Sequence, residues 1–238
     1  IITLAVMAVG GQGGGVHTNW FVDLAEANGY AVQATSVAGV AQRTGTTVYY
    51  IEMLPNTGRQ PVFALSPVAA DVDIVIAAEW MEAGRAIMRG FVSPDRTVLI
   101  ASSHRALSEV EKAVPGNGIA DDTEVHLAAT KSARRVIAFD MDSIAVNAGT
   151  MISASLFGAI AGADVLPFAV DEFRKTVRRG GRGFEASLAA FEVAFERAQS
   201  EINASLCQDD ALAECVRPNL IGPEKLLTEW RVLVARLA

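Results

Sequence analysis

The stretch VGGQGGGV, residues 9–16, joins an unbroken apolar run to a helical repeat, and few folds accommodate that junction. Residues 2–9 suit a strand buried on both faces, the setting of an interior strand in a parallel sheet. After the glycines, Val16, Trp20, Leu24 and Ala27 recur at helical spacing, and Gly29 stops the helix. Strand, glycine loop and helix in that order are the opening unit of a layered α/β fold.

The rest of the chain continues the alternation. Strands are predicted over residues 30–37, 46–53, 73–78, 97–102 and 135–140, with Thr47, Tyr49, Ile51 and Met53 of the third strand sharing one face. Helices are predicted over residues 80–91 and from about 122, where Asp121 and Glu124 make a capping box. Past residue 141 the pattern turns helical, over residues 151–161 and 170–178 and along the stripe Phe184, Leu188, Phe191, Phe195 and Ala198. The expected architecture is a Rossmann-like, doubly wound, mostly parallel sheet with a C-terminal helical part. Residues 1–200 form one domain. Residues 201–238 form a C-terminal linker and helix, with Pro218–Pro223 leading into a helix over 224–237.

Composition narrows the partners. A formal charge of −7 over 238 residues argues against nucleic acid, which needs a basic surface. Residues 151–163 form the longest apolar stretch, short of the ~20 residues that span a bilayer. The opening residues lack the basic flank and cleavage site of a signal peptide, so a cytoplasmic protein is expected. Two cysteines, Cys207 and Cys215, cannot build a four-thiolate metal or iron–sulfur site. The sequence opens at Ile1 without methionine, and we expect a piece of a longer polypeptide.

A strand–glycine loop–helix can hold a phosphate on backbone amides at the helix start. The dinucleotide fingerprint fails here, because Val16 stands at the third glycine and VQATSVAGV supplies no acid at the end of the second strand. No P-loop Lys-Ser/Thr pair is present. Two alternatives remain from the residues alone: a self-contained nucleotide-binding or regulatory module, and glycines that only let helix and strand pack closely.

The segments VGGQGGGVHTNWFVDLAEANGY and SVAGVAQRTGTTVYYIEM together resemble the gamma-type domain of the 2-oxoacid:ferredoxin oxidoreductases. That pattern is a Gly-Gly-Gln-Gly loop, a helix, a strand, then an Arg-x-Gly turn into another strand. The wording VAGVAQRTGTTVYYIEMLP is most similar to the beta subunit of the indolepyruvate member. The resemblance covers about residues 3–200. It departs in NAGTMISASLFGAIAG, where Ser153 stands at the position of a family asparagine ahead of Gly158.

The resemblance implies oxidative decarboxylation of a 2-oxoacid on thiamine diphosphate, with electrons passing through iron–sulfur clusters to ferredoxin and the acyl group typically to coenzyme A. This chain has no Gly-Asp-Gly motif and no cluster cysteines, so thiamine diphosphate, Mg and the clusters belong to an alpha-type catalytic partner. The chain is then an accessory subunit, inactive alone and without catalytic residues of its own. Its expected site residues are Gly11, Gln12 and Gly13, offering amides to an anionic or carbonyl group, with Gln42, Arg43, Thr44 and Gly45. The same complex acting on another 2-oxoacid, or releasing a free acid, is an open alternative.

Weaker candidates complete the set. His17 faces the site or a subunit interface, and Ser102, Ser103 and His104 follow a strand at the ligand-binding edge. His126 lacks a second ligand at metal spacing. Arg174, Lys175, Arg178, Arg179 and Arg182 either hold phosphates or an acidic partner surface, or form a solvated helix end.

Overall fold

The computed structural model describes residues 1–9, 11–37, 46–107, 113, 122–181 and 183–215, with Thr46 and residues 204–215 described by backbone alone. The chain divides into two compact units, Ile1–Glu201 and Ile202–Ala238.

The first unit is built on a six-stranded sheet: β1 Ile2–Val9, β2 Tyr30–Val37, β3 Thr46–Pro55, β4 Ile74–Ala77, β5 Val98–Ser102 and β6 Arg135–Phe139. Their spatial order is β2-β3-β1-β4-β5-β6. β1, β4, β5 and β6 are parallel, whereas β3 runs antiparallel to both β1 and β2. The sheet is mixed and mostly parallel, as the alternating pattern predicts. Because β3 lies between β2 and β1, it is buried on both faces. Val48 and Tyr50 belong to the core on one side and Ile51 and Met53 to that on the other. Thr47, Tyr49, Ile51 and Met53 share one face as expected, and the residues between them pack into the other layer because an interior strand has no solvent face.

Seven helices are described: α1 Gly14–Ala27, α2 Trp80–Met88, α3 Thr123–Ser132, α4 Met141–Ala148, α5 Ile152–Ala163, α6 Val170–Arg178 and α7 Phe184–Cys215. α2 and α3 cover one face of the sheet around Trp80, Ala83, Ala86 and Ala129. α1 and α5 cover the other, where Trp20, Phe21, Phe157, Phe173 and Phe191 form a chain of ring contacts. α5 is apolar all round and buried along almost its whole length, as such a helix must be. Gly158 and Gly162 let it approach α7 so closely that an added Cβ would stand 2.2 Å from the Phe191 carbonyl oxygen and 2.4 Å from that of Phe195. α1 ends as expected: Gly29 adopts φ +76° and its N–H donates to the Glu26 carbonyl.

At the edge where the parallel strands begin, Asp73 accepts from the Thr3 backbone and side chain and from Arg96. The candidate ligand edge is the opposite one. Asp121 of the expected capping box lies outside the described residues, as do residues 216–238 with the expected last helix. Among the described residues no helix is long and apolar enough to cross a membrane.

Candidate functional site

The glycine loop stands at the topological switch point of the sheet, between β1 and β4, outside the carboxyl ends of the parallel strands. The Gln12 N–H donates to the Val9 carbonyl at 3.2 Å and closes a four-residue turn. The Val9 N–H in turn donates to Gln12 Oε1 at 2.8 Å. The last bond on this side of β1 is from the Ala78 N–H to the Met7 carbonyl. Val9 points the same way two residues on, past the end of β4, so its N–H has no strand to pair with.

The described glycines of the loop differ in what requires them. Gly11 and Gly13 adopt φ +94° and +72°, the left-handed region that side chains disfavour. Gly14 lets α1 rest on the sheet, since a Cβ there would stand 2.5 Å from the Tyr49 ring and 3.1 Å from Ala8 Cβ. Gly15 faces open space and packs against nothing. Close packing thus accounts for Gly14 but not for the whole run. Gly13 caps α1 without a side-chain bond, and no acid occupies the first turn.

The reversed strand brings a second segment to the same edge. Thr46 pairs with Val9, and Val37 pairs with Val48, which itself pairs with Met7. Both ends of the segment between β2 and β3 therefore sit beside the glycine loop. Gln42, Arg43, Thr44 and Gly45 themselves lie outside the described residues. Ser153 and Met151 arrive from the start of α5, their side chains 3.3 and 3.2 Å from where a Cβ on Gly13 would stand. Ser153 thus falls against the loop. Val16 follows the loop, Met151 lies against it and Val37 ends β2 toward the same sheet edge; they are 44%, 47% and 56% exposed.

His17 reaches neither the site nor the surface. It is buried against Phe21 and Phe157, ring centroids 4.8 and 6.0 Å away, and neither ring nitrogen has a partner. Burial lowers its pKa to about 3 and keeps it neutral.

Ser102 and His104 are joined to each other and to the next strand. Ser102 Oγ is 2.7 Å from His104 Nδ1 and accepts from the Met141 N–H at 3.0 Å. The tautomer using every hydrogen has Ser102 donating to Nδ1 and the ring proton on Nε2, which is 4.0 Å from Asp142. Burial lowers the His104 pKa against the opposing pull of Asp142 and Asp140. The Ser103 N–H donates to the Phe139 carbonyl. These bonds lace the ends of β5 and β6 together.

Glu79 escaped the sequence analysis. Almost fully buried, it caps α2, its Oε2 accepting from the Met81 N–H at 3.0 Å and the Ala106 N–H at 3.4 Å. Burial raises its pKa, as does neighbouring Glu82, which is bonded to Arg85. The signal was available: glutamates at the cap and three residues on, before an apolar turn.

The basic cluster divides. Arg174 makes a two-pronged bond to Glu192 at 2.7 and 2.8 Å, another to Asp171, and lies over the Phe195 ring. Lys175 bonds Glu172, whereas Arg178 and Arg179 are exposed and Arg182 lies outside the described residues. His126 lies tilted against the Trp80 ring, centroids 4.1 Å apart. Among the described residues no cluster of three or more His, Cys, Asp or Glu could hold a metal. With Cys207 and Cys215 the only cysteines, the chain does not fit an iron–sulfur cluster.

Comparison with solved structures returns the same architecture. The gamma subunit of a keto/oxoacid ferredoxin oxidoreductase from Geobacter sulfurreducens is similar with a TM-score of 0.58 at 15% identity, over 84% of this chain and 99% of that one. Pyruvate oxidoreductase subunit PORC from Thermotoga maritima gives 0.56 at 14%, over 82% and 95%. The 2-oxoglutarate:ferredoxin oxidoreductase of Magnetococcus marinus, solved with 2-oxoglutarate, coenzyme A and succinyl-CoA, gives 0.57 at 12%, over 84% of this chain but 31% of that one. No curated protein sequence matches the chain. The family model for pyruvate ferredoxin/flavodoxin oxidoreductase matches residues 3–197, and the chain belongs to that family.

Proposed function

We propose that the chain is the accessory, gamma-type subunit of an aryl-pyruvate (indolepyruvate) oxidoreductase, working in the cytoplasm and inactive alone. An alpha-type partner supplies thiamine diphosphate, Mg and the iron–sulfur clusters; ferredoxin takes the electrons, and coenzyme A enters at the interface. The glycine loop, Gly11, Gln12 and Gly13, and the turn Gln42, Arg43, Thr44 and Gly45 face the shared site. Residues 1–200 form the gamma-type domain, and residues 201–238 join it to a further region.

One observation supports the subunit reading: exposed apolar side chains lie at the loop, Val16 just after it and Met151 against Gly13, with exposed Val37 at the end of β2 toward the same sheet edge. Apolar side chains around a polar loop suit a protein partner better than a free nucleotide. The nucleotide-module alternative is disfavoured by the wiring, because the neighbour of β1 is the reversed β3, which presents its first residues where a Rossmann sheet presents the acidic end of a strand. The aryl preference is supported by the sequence resemblance alone.

The test is anaerobic capture of the tagged chain from its native extract, with the eluate assayed for 2-oxoacid-dependent reduction of a viologen dye. The expected result is a thiamine- and iron-containing complex preferring indolepyruvate or phenylpyruvate. Preference for pyruvate or 2-oxoglutarate would keep the complex and replace the substrate. A chain that elutes alone with a bound nucleotide would overturn the reading.

A further inference from the structure

Between Val9 and Val16 every residue but one is glycine, and that one is Gln12. Such a backbone has the largest conformational freedom a chain can have, and Gln12 carries the one side chain within the run that can restrain it. Its Oε1 takes the Val9 N–H at 2.8 Å, shorter than the 3.2 Å backbone bond running the other way between the same two residues. We infer that Gln12 is a positioning residue: its carbonyl oxygen stands in for the strand that β1 lacks beyond Ala77, and this clamp sets the direction of the loop's N–H groups. What the loop then meets rests on the function proposed above; the clamp itself does not.

The competing role is direct contact, in which the Nε2 end donates to ligand or partner. The two ends of the amide are separable. Gln12→Glu keeps an acceptor oxygen and loses the donor, whereas Gln12→Leu keeps the approximate shape and loses both. Gln12→Ala serves as a second variant lacking the acceptor should the leucine side chain disturb the fold.

The experiment measures hydrogen exchange of the Val9 amide in the full chain and kcat/KM of the assembled complex. Leu and Ala are expected to speed Val9 exchange about tenfold and to lower kcat/KM about tenfold, with Glu restoring both to within about threefold of wild type. Val9 exchange unchanged in Leu and Ala would overturn the clamp. Protection kept in Glu with turnover as poor as in Leu would overturn positioning in favour of contact through Nε2. If the wild-type complex reduces no dye with any 2-oxoacid, the proposed function fails, while Val9 exchange still reports on the clamp.

Discussion

His17 shows how a residue at the edge of a motif can be absorbed by packing. It follows the glycine loop closely, yet its ring fills a gap between Phe21 and Phe157 with no polar partner. Burial holds its pKa near 3, against 6.5 for a free imidazole. The unfolded chain takes up a proton between those values, so this contribution is complete above about pH 6.5 and is lost as pH falls through the window toward 3. His17→Leu should abolish that slope, worth about 1.4 kcal/mol per pH unit at its steepest. Urea unfolding of both proteins at several pH values across the window measures it; identical slopes would mean the ring is not held neutral. Nothing in the spacing of His17 distinguished a core position from a site position, because one turn of helix separates the two.

At the scale of elements, α5 against α7 is the tightest junction. Gly158→Ala would drive a Cβ into the Phe191 backbone, which cannot swing aside, and is expected to destabilise by about 3 kcal/mol. Gly15→Ala meets nothing and needs no unusual φ, so it should stabilise by up to about 1 kcal/mol. Thermal unfolding of the two variants should shift in opposite directions. Elements whose signals are local were legible: β2 and α6 fall at their expected residues, as does the strand–loop–helix around the site. α4 was missed because only Met141 and Ala145 of its eight residues are buried, too thin a stripe to mark a helix. α7 runs on to Cys215, although its apolar stripe fades near Glu201, because a helical backbone needs no continuous apolar stripe. The place of β3 beside β1 depends on which strands are neighbours, and that no window of sequence contains. The cap that Glu79 makes on α2 was legible, but its second bond was not, since Ala106 comes from another strand's loop.

At the scale of the molecule, the exposed apolar side chains at the glycine loop allow folding and assembly to be separated. Val16→Asp should leave thermal stability unchanged or slightly raised, because an acid in the first turn of α1 suits the helix dipole. The same change should weaken capture of the catalytic partner about tenfold or more, since it puts a charge where an apolar contact is expected. A titration of complex formation beside a melting curve tests both halves. Equal binding by the variant would move the interface elsewhere.

The reversed strand also makes the site adjustable over evolution. With Val37 locked to Val48 and Thr46 to Val9, the sheet holds its register on both sides of residues 38–45. Insertions or deletions within residues 38–45 add little closure entropy and leave the flanking strand register in place. A lineage can thus lengthen, shorten or recharge the one connection between β2 and β3 to suit a differently shaped partner, and inherit the scaffold unaltered.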